Sequence, residues 1–367
     1  MPAAHSFVQR NNSMSRFLNK RYASLEAYTP GEQPRDMVYI KLNTNESPYP
    51  PAPSVVAAMD APQVENLRLY SDPTGLSLKQ KLAELYDLKT ENVFLSNGSD
   101  DILNFAFMAF ADSRGAAFAD ITYGFYPVYG ELHNVNVQII PLEEDFSLNY
   151  KKYCGINKMV VIANPNAPTG MEIPVWQIEE ILKTNPDSVV VIDEAYVDFG
   201  GATCYRLIDA YENLLVVRTF SKSRCLAGAR LGYAFASPGL IEDLEKLKYS
   251  TNPYNVNRLT MLLGCKTVEA EPYYRQVSRK IQSAREWAVK ALKNLDFEVL
   301  PSKANFIFAR HPAISGEDLY AGLRQRGILV RHFTKERIKD FVRITIGTQQ
   351  QMEKLAEALQ DMTGGAQ

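Results

Sequence analysis

A lysine that follows a serine after an apolar run is the residue with the clearest chemical potential in this sequence. Ser221 and Lys222 come just after the run 214–217, and Arg230 stands eight residues beyond the lysine. A lysine removed from water loses its proton more readily, and its amine then forms an imine with an aldehyde. The serine hydroxyl and the planar guanidinium suit a phosphate group. The segment predicts an aldehyde-binding lysine beside an anion site or, because most lysines are exposed, an ordinary surface loop.

An acidic residue stands at the end of another apolar run. Asp193 follows the run 189–192, and Tyr196 lies three residues further on. A carboxylate at the C-terminal end of a buried strand points into the crevice where ligands of such sheets bind. There it keeps a pyridinium nitrogen protonated, and the tyrosine hydroxyl is available to donate to a ring oxygen. The structural alternative is that Asp193 caps the next helix.

Three more polar segments follow short apolar runs. The turn 164–170 contains two prolines and a glycine, and its Asn166 is placed to hydrogen-bond a ring oxygen. Ser99 and Asp100 begin a helical pattern, where free backbone N–H groups bind phosphate. The ring of Tyr123 is suited to stack on a flat cofactor or to fill the core. Each segment alone is also compatible with an ordinary turn, a helix cap or a core residue.

Taken in chain order, these segments resemble the fold-type I pyridoxal-phosphate-dependent aminotransferases, and above all their histidinol-phosphate branch. Further segments carry the same resemblance: Tyr28-Thr29-Pro30-Gly31-Glu32, Leu42-Asn43-Thr44-Asn45-Glu46-Ser47-Pro48-Tyr49, Tyr70-Ser71-Asp72-Pro73, Asn305-Phe306 and Val342-Arg343-Ile344-Thr345-Ile346-Gly347. Together the matching segments extend over nearly the whole chain. The Asn-Glu-x-Pro-Tyr pattern at 45–49 is distinctive of the histidinol-phosphate branch.

The resemblance implies a role for each residue. Lys222 would bind pyridoxal 5′-phosphate covalently and then carry a proton, Asp193 would pair with the pyridine nitrogen, and Tyr196 would contact the phenolic oxygen. Tyr123 would stack on the ring. The cofactor phosphate would be held by Ser99, Asp100, Ser221 and Arg230, and by Tyr70 of a second chain. The substrate side would be lined by Asn45, Asn305, Arg331 and Arg343.

One position departs from the pattern of the family. Many relatives have an asparagine directly before Pro-Thr-Gly, and that residue contacts the phenolic oxygen. This chain has Ala167 at that position. We therefore predict that Asn166, one residue earlier, makes the contact instead.

The resemblance implies amino transfer from histidinol phosphate to 2-oxoglutarate, in histidine biosynthesis, by a homodimer with shared active sites. An aromatic amino acid aminotransferase and a phosphothreonine-type decarboxylase keep the same fold and cofactor. These alternatives differ in the anion that meets Arg331 and Arg343, a phosphate or an α-carboxylate, and a guanidinium binds either. A cofactor-sensing transcription regulator would need a DNA-binding domain, but only about 40 residues precede the predicted core.

The elements that must position these residues alternate along the middle of the chain. Apolar runs predict strands at 116–119, 159–163, 189–192, 214–217 and 232–236. Helical patterns between them predict helices at 99–110, 124–132 and 174–182. Such alternation is typical of an α/β fold in which helices flank a mostly parallel central sheet. Because ligands of such sheets bind at the C-terminal strand ends, we expect the chemically active segments to meet there.

The pattern changes after about residue 250. A long charged helix at 271–295 precedes predicted strands at 297–300, 305–309, 328–331 and 341–346, with a helix at 316–326. These elements predict a smaller α+β domain. The resulting division is an N-terminal arm at 1–40, a large cofactor-binding domain at 41–255 and a small C-terminal domain at 256–367.

Composition excludes several other classes of protein. A chain of 367 residues is too long for one small core. Its net charge of -2 argues against partners such as nucleic acid or an anionic membrane surface. Its aliphatic runs are far shorter than the ~20 residues of a membrane helix, and no signal peptide is recognisable, so we expect a cytoplasmic protein. The four histidines show no metal-ligand spacing, and the four separated cysteines are typical of reduced thiols.

Overall fold

The computed structural model describes residues 15–364, so residues 1–14 of the predicted arm lie outside the described part. The α-helices are α1 (Pro53–Ala57), α2 (Ala61–Glu65), α3 (Leu76–Tyr86), α4 (Ser99–Phe110), α5 (Phe125–Leu132), α6 (Val175–Thr184), α7 (Pro238–Thr251), α8 (Arg258–Glu269), α9 (Glu271–Lys293), α10 (Gly316–Gln325) and α11 (Gln349–Gly364). The strands are β1 (Ile40–Lys41), β2 (Val93–Ser96), β3 (Ala116–Ala119), β4 (Val137–Ile140), β5 (Met159–Ala163), β6 (Val190–Asp193), β7 (Leu214–Thr219), β8 (Gly232–Ala236), β9 (Glu298–Val299), β10 (Phe306–Arg310), β11 (Ile328–Leu329), β12 (Arg331–His332) and β13 (Val342–Thr345).

Short 3-10 helices occupy several loops between these elements. They are Lys20–Tyr22, Asn66–Arg68, Thr90–Asn92, Tyr150–Tyr153, Val197–Phe199, Tyr205–Asp209, Ala227–Ala229 and Glu336–Ile338. Two of them, Val197–Phe199 and Ala227–Ala229, follow the predicted Asp-Glu-Ala-Tyr and Ser-Lys segments. Both chemically interesting segments therefore continue into tight turns rather than into long helices.

The large sheet has the strand order β2-β8-β7-β6-β5-β3-β4. Strands β7, β6, β5, β3 and β4 are parallel to one another, and β8 pairs antiparallel with both β2 and β7. Every residue of β5, β6 and β7 is buried. Continuous aliphatic strands of this kind form where helices cover both faces of a parallel sheet, as the sequence predicted.

Alternate residues of the central strands enter two different cores. On one face, Val160 and Ile162 of β5 pack with side chains of α3 and α6, for example Leu82 and Ile178. On the other face, residues such as Val161 pack with α4, α5 and α7. The two-residue period of the strands thus divides the sheet into two apolar faces, and each face requires its own helices. The predicted α/β fold with a flanked, mostly parallel sheet is confirmed.

The C-terminal part forms an antiparallel sheet of order β12-β13-β10-β9, which packs with α9, α10 and α11. Helix α9 buries Val277, Ile281, Ala284 and Ala288, which recur every three or four residues along one face. The predicted single strand at 328–331 is wrong in one respect. The chain passes at Val330 from β11, which pairs with β1, to β12, which pairs with β13.

Within residues 15–364, no helix combines the length and apolar character needed to cross a bilayer. In the same part of the chain, no three or more His, Cys, Asp or Glu side chains are grouped so that they could hold a metal ion.

Candidate active site

A cavity of about 940 Å³ lies where the parallel strands of the large sheet end. Ala163, Asp193 and Thr219, the last residues of β5, β6 and β7, all line it. The three strands are parallel neighbours, so their last residues meet at the same edge. The predicted residues that line the cavity are Asn45, Ser99, Asp100, Tyr123, Asp193, Tyr196, Ser221, Lys222, Arg230, Arg331 and Arg343.

Asp193 is a buried carboxylate without a cationic side-chain partner among residues 15–364. Only 5% of it is exposed. Its Oδ2 accepts a hydrogen bond from the Tyr126 hydroxyl at 2.9 Å, and its Oδ1 accepts from the Ala195 N–H at 3.1 Å. Burial raises the pKa of Asp193 to about 6, and the two hydrogen bonds oppose that rise. A buried carboxylate is costly unless it is paired, so this position fits a ligand with a protonated ring nitrogen.

Lys222 enters the cavity from the loop that follows β7. Its Nζ donates to the carbonyl oxygen of Thr44 at 3.4 Å and lies 5.7 Å from the ring centre of Tyr196. Neither contact ties the amine to a carboxylate, so it remains available to react with an aldehyde. The hydroxyl of Tyr196 accepts a hydrogen bond from Nδ2 of Asn45 at 3.1 Å. The Lys222 amine and the Tyr196 ring therefore both face the cavity, and the Asn45 amide holds the tyrosine hydroxyl.

A cradle for an anion lies at the start of α4. The helix begins at Ser99 after Gly98, and no side chain caps it, so its first N–H groups are open to an anion. Nη2 of Arg230 lies 3.1 Å from Oδ2 of Asp100, and Nη1 donates to Oγ of Ser221 at 3.5 Å. A Cβ atom on Gly98 would stand 2.7 Å from Nη2 of Arg230, so glycine leaves room for the guanidinium. This donor set fits the phosphate of the implied cofactor.

Tyr123 provides a fixed aromatic ring beside the cradle. Its hydroxyl donates to Oδ1 of Asp100 at 2.7 Å. Burial raises the pKa of Tyr123, and the negative charge of Asp100 adds to that rise, so the phenol stays a neutral donor. The ring lies 5.6 Å from Phe125 and 6.3 Å from Tyr28. An aromatic face held in this way suits stacking against a flat ring.

Two arginines oppose each other on adjacent strands of the small sheet. Arg331 on β12 is the register partner of Arg343 on β13. Arg343 donates from Nη2 to the carbonyl of Asn43 at 2.9 Å, whereas its buried Nε has no partner. Arg331 donates to the carbonyls of Thr29 and Pro30 at 3.2 and 3.3 Å. Like charges opposite each other destabilise a sheet, and no carboxylate of residues 15–364 pairs with either, so the pair fits an anion of the substrate.

Two contributions to the cavity were not predicted from the sequence. Residues 28–31 line it, and Tyr28 stacks on Phe125 at 4.1 Å. The Tyr-Thr-Pro-Gly-Glu segment supported the resemblance, but no local pattern shows that a polar arm folds over a distant strand edge. Tyr126 orients Asp193. It follows Tyr123 by three residues, a spacing that places the two rings on the same side of the chain as α5 begins.

The structure corrects the prediction for Asn166. Its Oδ1 accepts from the hydroxyl of Thr122 at 2.9 Å, and its Nδ2 donates to Ile121 O at 3.0 Å and Thr169 Oγ1 at 3.1 Å. Both atoms of the amide thus join the turn to the loop after β3, and the side chain does not line the cavity, whereas Ala167 does. Asn166 therefore does not replace the asparagine that this chain lacks at position 167.

Two other predicted residues lie outside the cavity lining. Asn305 is fully buried and donates from Nδ2 to the carbonyl of Asn45 at 3.0 Å, so it supports the segment that bears Asn45. Tyr70 is 78% exposed, and its ring stacks on Tyr254 at 4.5 Å. An exposed tyrosine in this place contributes nothing to the cavity of its own chain.

The sequence matches the family described as "Aminotransferase class I and II" over residues 38–359. The histidinol-phosphate aminotransferase of Clostridium acetobutylicum is 48% identical over 349 residues, which cover 95% of this chain and 99% of that protein. The one of Marinomonas sp. is 50% identical over 353 residues, with coverage of 95% and 100%. The solved histidinol-phosphate aminotransferase of Sinorhizobium meliloti, in complex with pyridoxal-5′-phosphate, has a TM-score of 0.84 at 23% identity and covers 97% of this chain and 100% of that chain. This structural likeness shows a shared fold.

Proposed function

Because the chain belongs to the class I and II aminotransferase family, we propose that it transfers the amino group of histidinol phosphate to 2-oxoglutarate in histidine biosynthesis. The chain is a pyridoxal-phosphate-dependent transaminase, as its family is. The observation that carries the choice of donor is the pair Arg331 and Arg343, which has no carboxylate partner in the described residues. Two guanidinium groups match the double charge of a phosphate monoester. The names of the two curated relatives support the same donor.

The residues that would hold the cofactor divide into three groups. The α4 N-terminus, Ser221 and Arg230 would bind its phosphate, Tyr123 would stack on its ring, and Asp193 would pair with its ring nitrogen. Bound pyridoxal 5′-phosphate supplies an electron sink that stabilises negative charge at the substrate carbon bearing the amine. Asp193 strengthens that sink because its buried negative charge favours the protonated ring nitrogen.

Lys222 has two tasks in this proposal. Its Nζ would bind the cofactor covalently at rest, and after the substrate amine has displaced it, the free amine would move a proton from the substrate carbon that bears the amine to C4′ of the cofactor. The carbonyl of Thr44 accepts a hydrogen bond from Nζ and so orients the free amine. The hydroxyl of Tyr196 would donate a hydrogen bond to the phenolic oxygen of the cofactor. Residues 28–31 lie over the cavity and would exclude water from these steps.

Arg331 and Arg343 would bind the anionic end of each substrate in turn. Histidinol phosphate brings a phosphate, and 2-oxoglutarate brings a carboxylate of the same sign. The carbonyls of Thr29, Pro30 and Asn43 hold the two guanidinium groups in place before an anion arrives. Because both guanidinium groups are already held in place, little side-chain conformational entropy is lost when the anion binds.

We also propose that the protein is a cytoplasmic homodimer whose two sites are shared. Several large apolar side chains that lie near Tyr70 in the sequence are exposed in the single chain: Val56, Met59, Val64, Leu67, Leu69 and Leu76. Exposed apolar side chains concentrated in one segment are typical of an interface. A two-fold dimer would cover it with one self-complementary contact and bring Tyr70 to the cofactor phosphate of the partner.

A panel of amino donors tests the proposed reaction. Purified enzyme with 2-oxoglutarate should form glutamate from histidinol phosphate with a kcat/KM at least ~10-fold above that for phenylalanine or tyrosine, because their single carboxylate charge satisfies the two guanidinium groups less well than a doubly charged phosphate does. The Lys222→Ala protein serves as the blank. A higher kcat/KM for an aromatic donor would replace the proposal with an aromatic aminotransferase. Release of CO₂ from phosphothreonine would replace it with a decarboxylase.

A further inference from the structure

A closed set of hydrogen bonds links the small sheet to the hydroxyl of Tyr196. The backbone N–H of Asn45 donates to Oγ1 of Thr345 at 2.9 Å, and the same hydroxyl donates to Oδ1 of Asn45 at 2.9 Å. Nδ2 of Asn45 then donates to the hydroxyl of Tyr196 at 3.1 Å. Asn45 is 1% exposed and Thr345 is 2% exposed, so water does not compete for these bonds. All three residues lie in one continuous buried path.

The structure gives a direction to each hydrogen in this path. The Thr345 hydroxyl accepts from the backbone N–H, which can only donate, and its own hydrogen is directed to Oδ1 of Asn45. The oxygen of the Asn45 amide is therefore turned to Thr345, and its NH₂ group is turned to Tyr196. An NH₂ group also only donates, so the Tyr196 oxygen must accept. The phenolic hydrogen of Tyr196 then has no acceptor among residues 15–364 and is left for a ligand in the cavity.

We propose that Thr345 and Asn45 are positioning residues that fix Tyr196 as a hydrogen-bond donor toward the phenolic oxygen of the cofactor. Neither residue needs to touch the cofactor for this effect. Without the Thr345 hydroxyl, the Asn45 amide is free to rotate by half a turn and present its oxygen to Tyr196. The phenol would then donate to Asn45 and turn its hydrogen away from the cavity.

The hydrogen bonds that run from Thr345 through Asn45 to Tyr196 are called the relay below. The relay matters more in this chain because position 167 is an alanine. Alanine offers no side-chain donor at the cavity wall, and both atoms of the Asn166 amide are already bonded, to Ile121 and Thr122 in the loop after β3 and to Thr169 in the turn. Of Tyr196, Asn166 and Ala167, only Tyr196 thus has a side-chain donor available for the phenolic oxygen of the cofactor. Thr345 also lies two residues from Arg343 on β13, so the strand that would bind the substrate anion also carries the first hydroxyl of the relay.

The inference rests on the proposed role of Tyr196 but not on the identity of the amino donor, so its test uses no substrate. A donor to the phenolic oxygen spreads the negative charge of that oxygen and weakens its attraction for the proton on the nitrogen that joins Lys222 to the cofactor. Loss of the donor should therefore raise the pH at which the visible absorbance band of the holoenzyme titrates. The readout is this midpoint in wild type and variants.

Thr345→Val removes the hydroxyl and keeps the shape of the side chain. We expect its midpoint to rise by about one pH unit, the scale of one hydrogen bond to a charged group. Thr345→Ser keeps the hydroxyl and should return the midpoint to the wild-type value. Thr345→Ala provides a second hydroxyl-free variant if the valine protein does not fold, as checked by circular dichroism. An unchanged midpoint in a folded hydroxyl-free variant would overturn the relay.

The double variant separates a relay from a general structural effect. If Thr345 acts through Tyr196, adding Thr345→Val to Tyr196→Phe should not move the midpoint beyond that of Tyr196→Phe alone. Additive shifts would show that Thr345 acts by another route and would overturn the proposal. A Tyr196→Phe protein with the wild-type midpoint would overturn both the relay and the role of Tyr196, while leaving the donor assay unaffected.

Discussion

The hydroxyl of Tyr126 donates a hydrogen bond to Oδ2 of Asp193 over 2.9 Å, and Tyr126 is fully buried. Tyr126 lies on α5, whereas Asp193 is the last residue of β6. The hydrogen bond therefore joins two residues that are more than sixty positions apart in the chain. Burial alone raises the pKa of Asp193, and this bond lowers it toward its ordinary value. Tyr126 therefore helps to keep the Asp193 carboxylate ionised as well as in place.

Tyr126→Phe should weaken cofactor binding. Loss of the hydrogen bond moves the pKa of Asp193 further above about 6, so less of the carboxylate is ionised near pH 7. A hydrogen bond to a charged group corresponds to roughly a tenfold or greater change in affinity. Equilibrium dialysis of the apoprotein with pyridoxal phosphate measures the effect. Tyr211→Phe removes a hydroxyl that donates to the distant Glu179 and should bind cofactor normally; equal affinities in both variants would contradict the role of Tyr126.

Asp193→Asn should have opposite effects on the apoprotein and the holoenzyme. The raised pKa, about 6 against 3.8 for an ordinary aspartate, means that the folded apoprotein retains a proton that the unfolded chain has lost between these pH values. The free energy of unfolding of the wild-type apoprotein therefore falls as the pH rises through this window. Because asparagine has no proton to release, the free energy of unfolding of the Asp193→Asn apoprotein does not fall in this way. At pH 7 it should exceed that of the wild-type apoprotein by up to about 3 kcal/mol.

Urea denaturation of the two apoproteins at about pH 4 and about pH 7 measures that difference, which should disappear at the lower pH. In the holoenzyme the variant should lose turnover by the equivalent of roughly 3 kcal/mol or more, because the ring nitrogen loses its charged partner. If the two apoproteins have the same free energy of unfolding at both pH values, burial does not raise the pKa of Asp193 and the prediction is wrong.

Lys222→Ala should abolish turnover and covalent attachment of the cofactor but leave some binding. The α4 N-terminus, Arg230 and Asp193 do not depend on the lysine, so their contacts with phosphate and ring remain. Borohydride treatment followed by peptide mass spectrometry should find the cofactor on Lys222 in wild type and on no lysine in the variant. Label on Lys335, which also lines the cavity, would show that the assignment is wrong.

Replacing either cavity arginine should weaken the binding of substrate anions. Arg331→Gln and Arg343→Gln each remove charge-assisted donors, so KM for histidinol phosphate and the inhibition constant of inorganic phosphate should rise roughly 10- to 100-fold. Arg326→Gln serves as the matched control, because the exposed side chain of Arg326 donates, within residues 15–364, only to the carbonyl of Gly322. Unchanged phosphate inhibition in both cavity variants would place the anion elsewhere.

Tyr70 should act on the cofactor of the partner subunit. Tyr70→Phe and Lys222→Ala proteins each have two damaged sites. In mixed dimers with shared sites, one site carries both lesions and the other carries neither, so activity should recover above that of either parent. Activity should be measured after subunit exchange has been confirmed with differently tagged chains. No recovery, or full activity from a monomer, would show that Tyr70 does not complete a site across the interface.

The sequence by itself determined the elements and the types of residue at the strand ends. The aliphatic runs of β5, β6 and β7 could only be buried on both faces, and Asp193 and Lys222 come at or just beyond the ends of such runs. In a parallel sheet the ends of neighbouring strands meet at one edge, so a local pattern was sufficient to predict that these residues converge. The cofactor-binding roles required the resemblance as well, because residue types alone left structural alternatives open.

Only the tertiary structure decided which side chains face the cavity and which hold others in place. Asn166, Asn45 and Asn305 look equivalent in the sequence, yet Asn166 ties its turn to the loop after β3, Asn305 supports a backbone, and Asn45 orients Tyr196. A buried amide must be hydrogen-bonded, and its partners are the groups that the fold brings next to it, so they depend on contacts between residues that are far apart in the sequence. No local period encodes those contacts, and the bond between Asn45 and Thr345 exists only because the small sheet packs against the segment that follows β1.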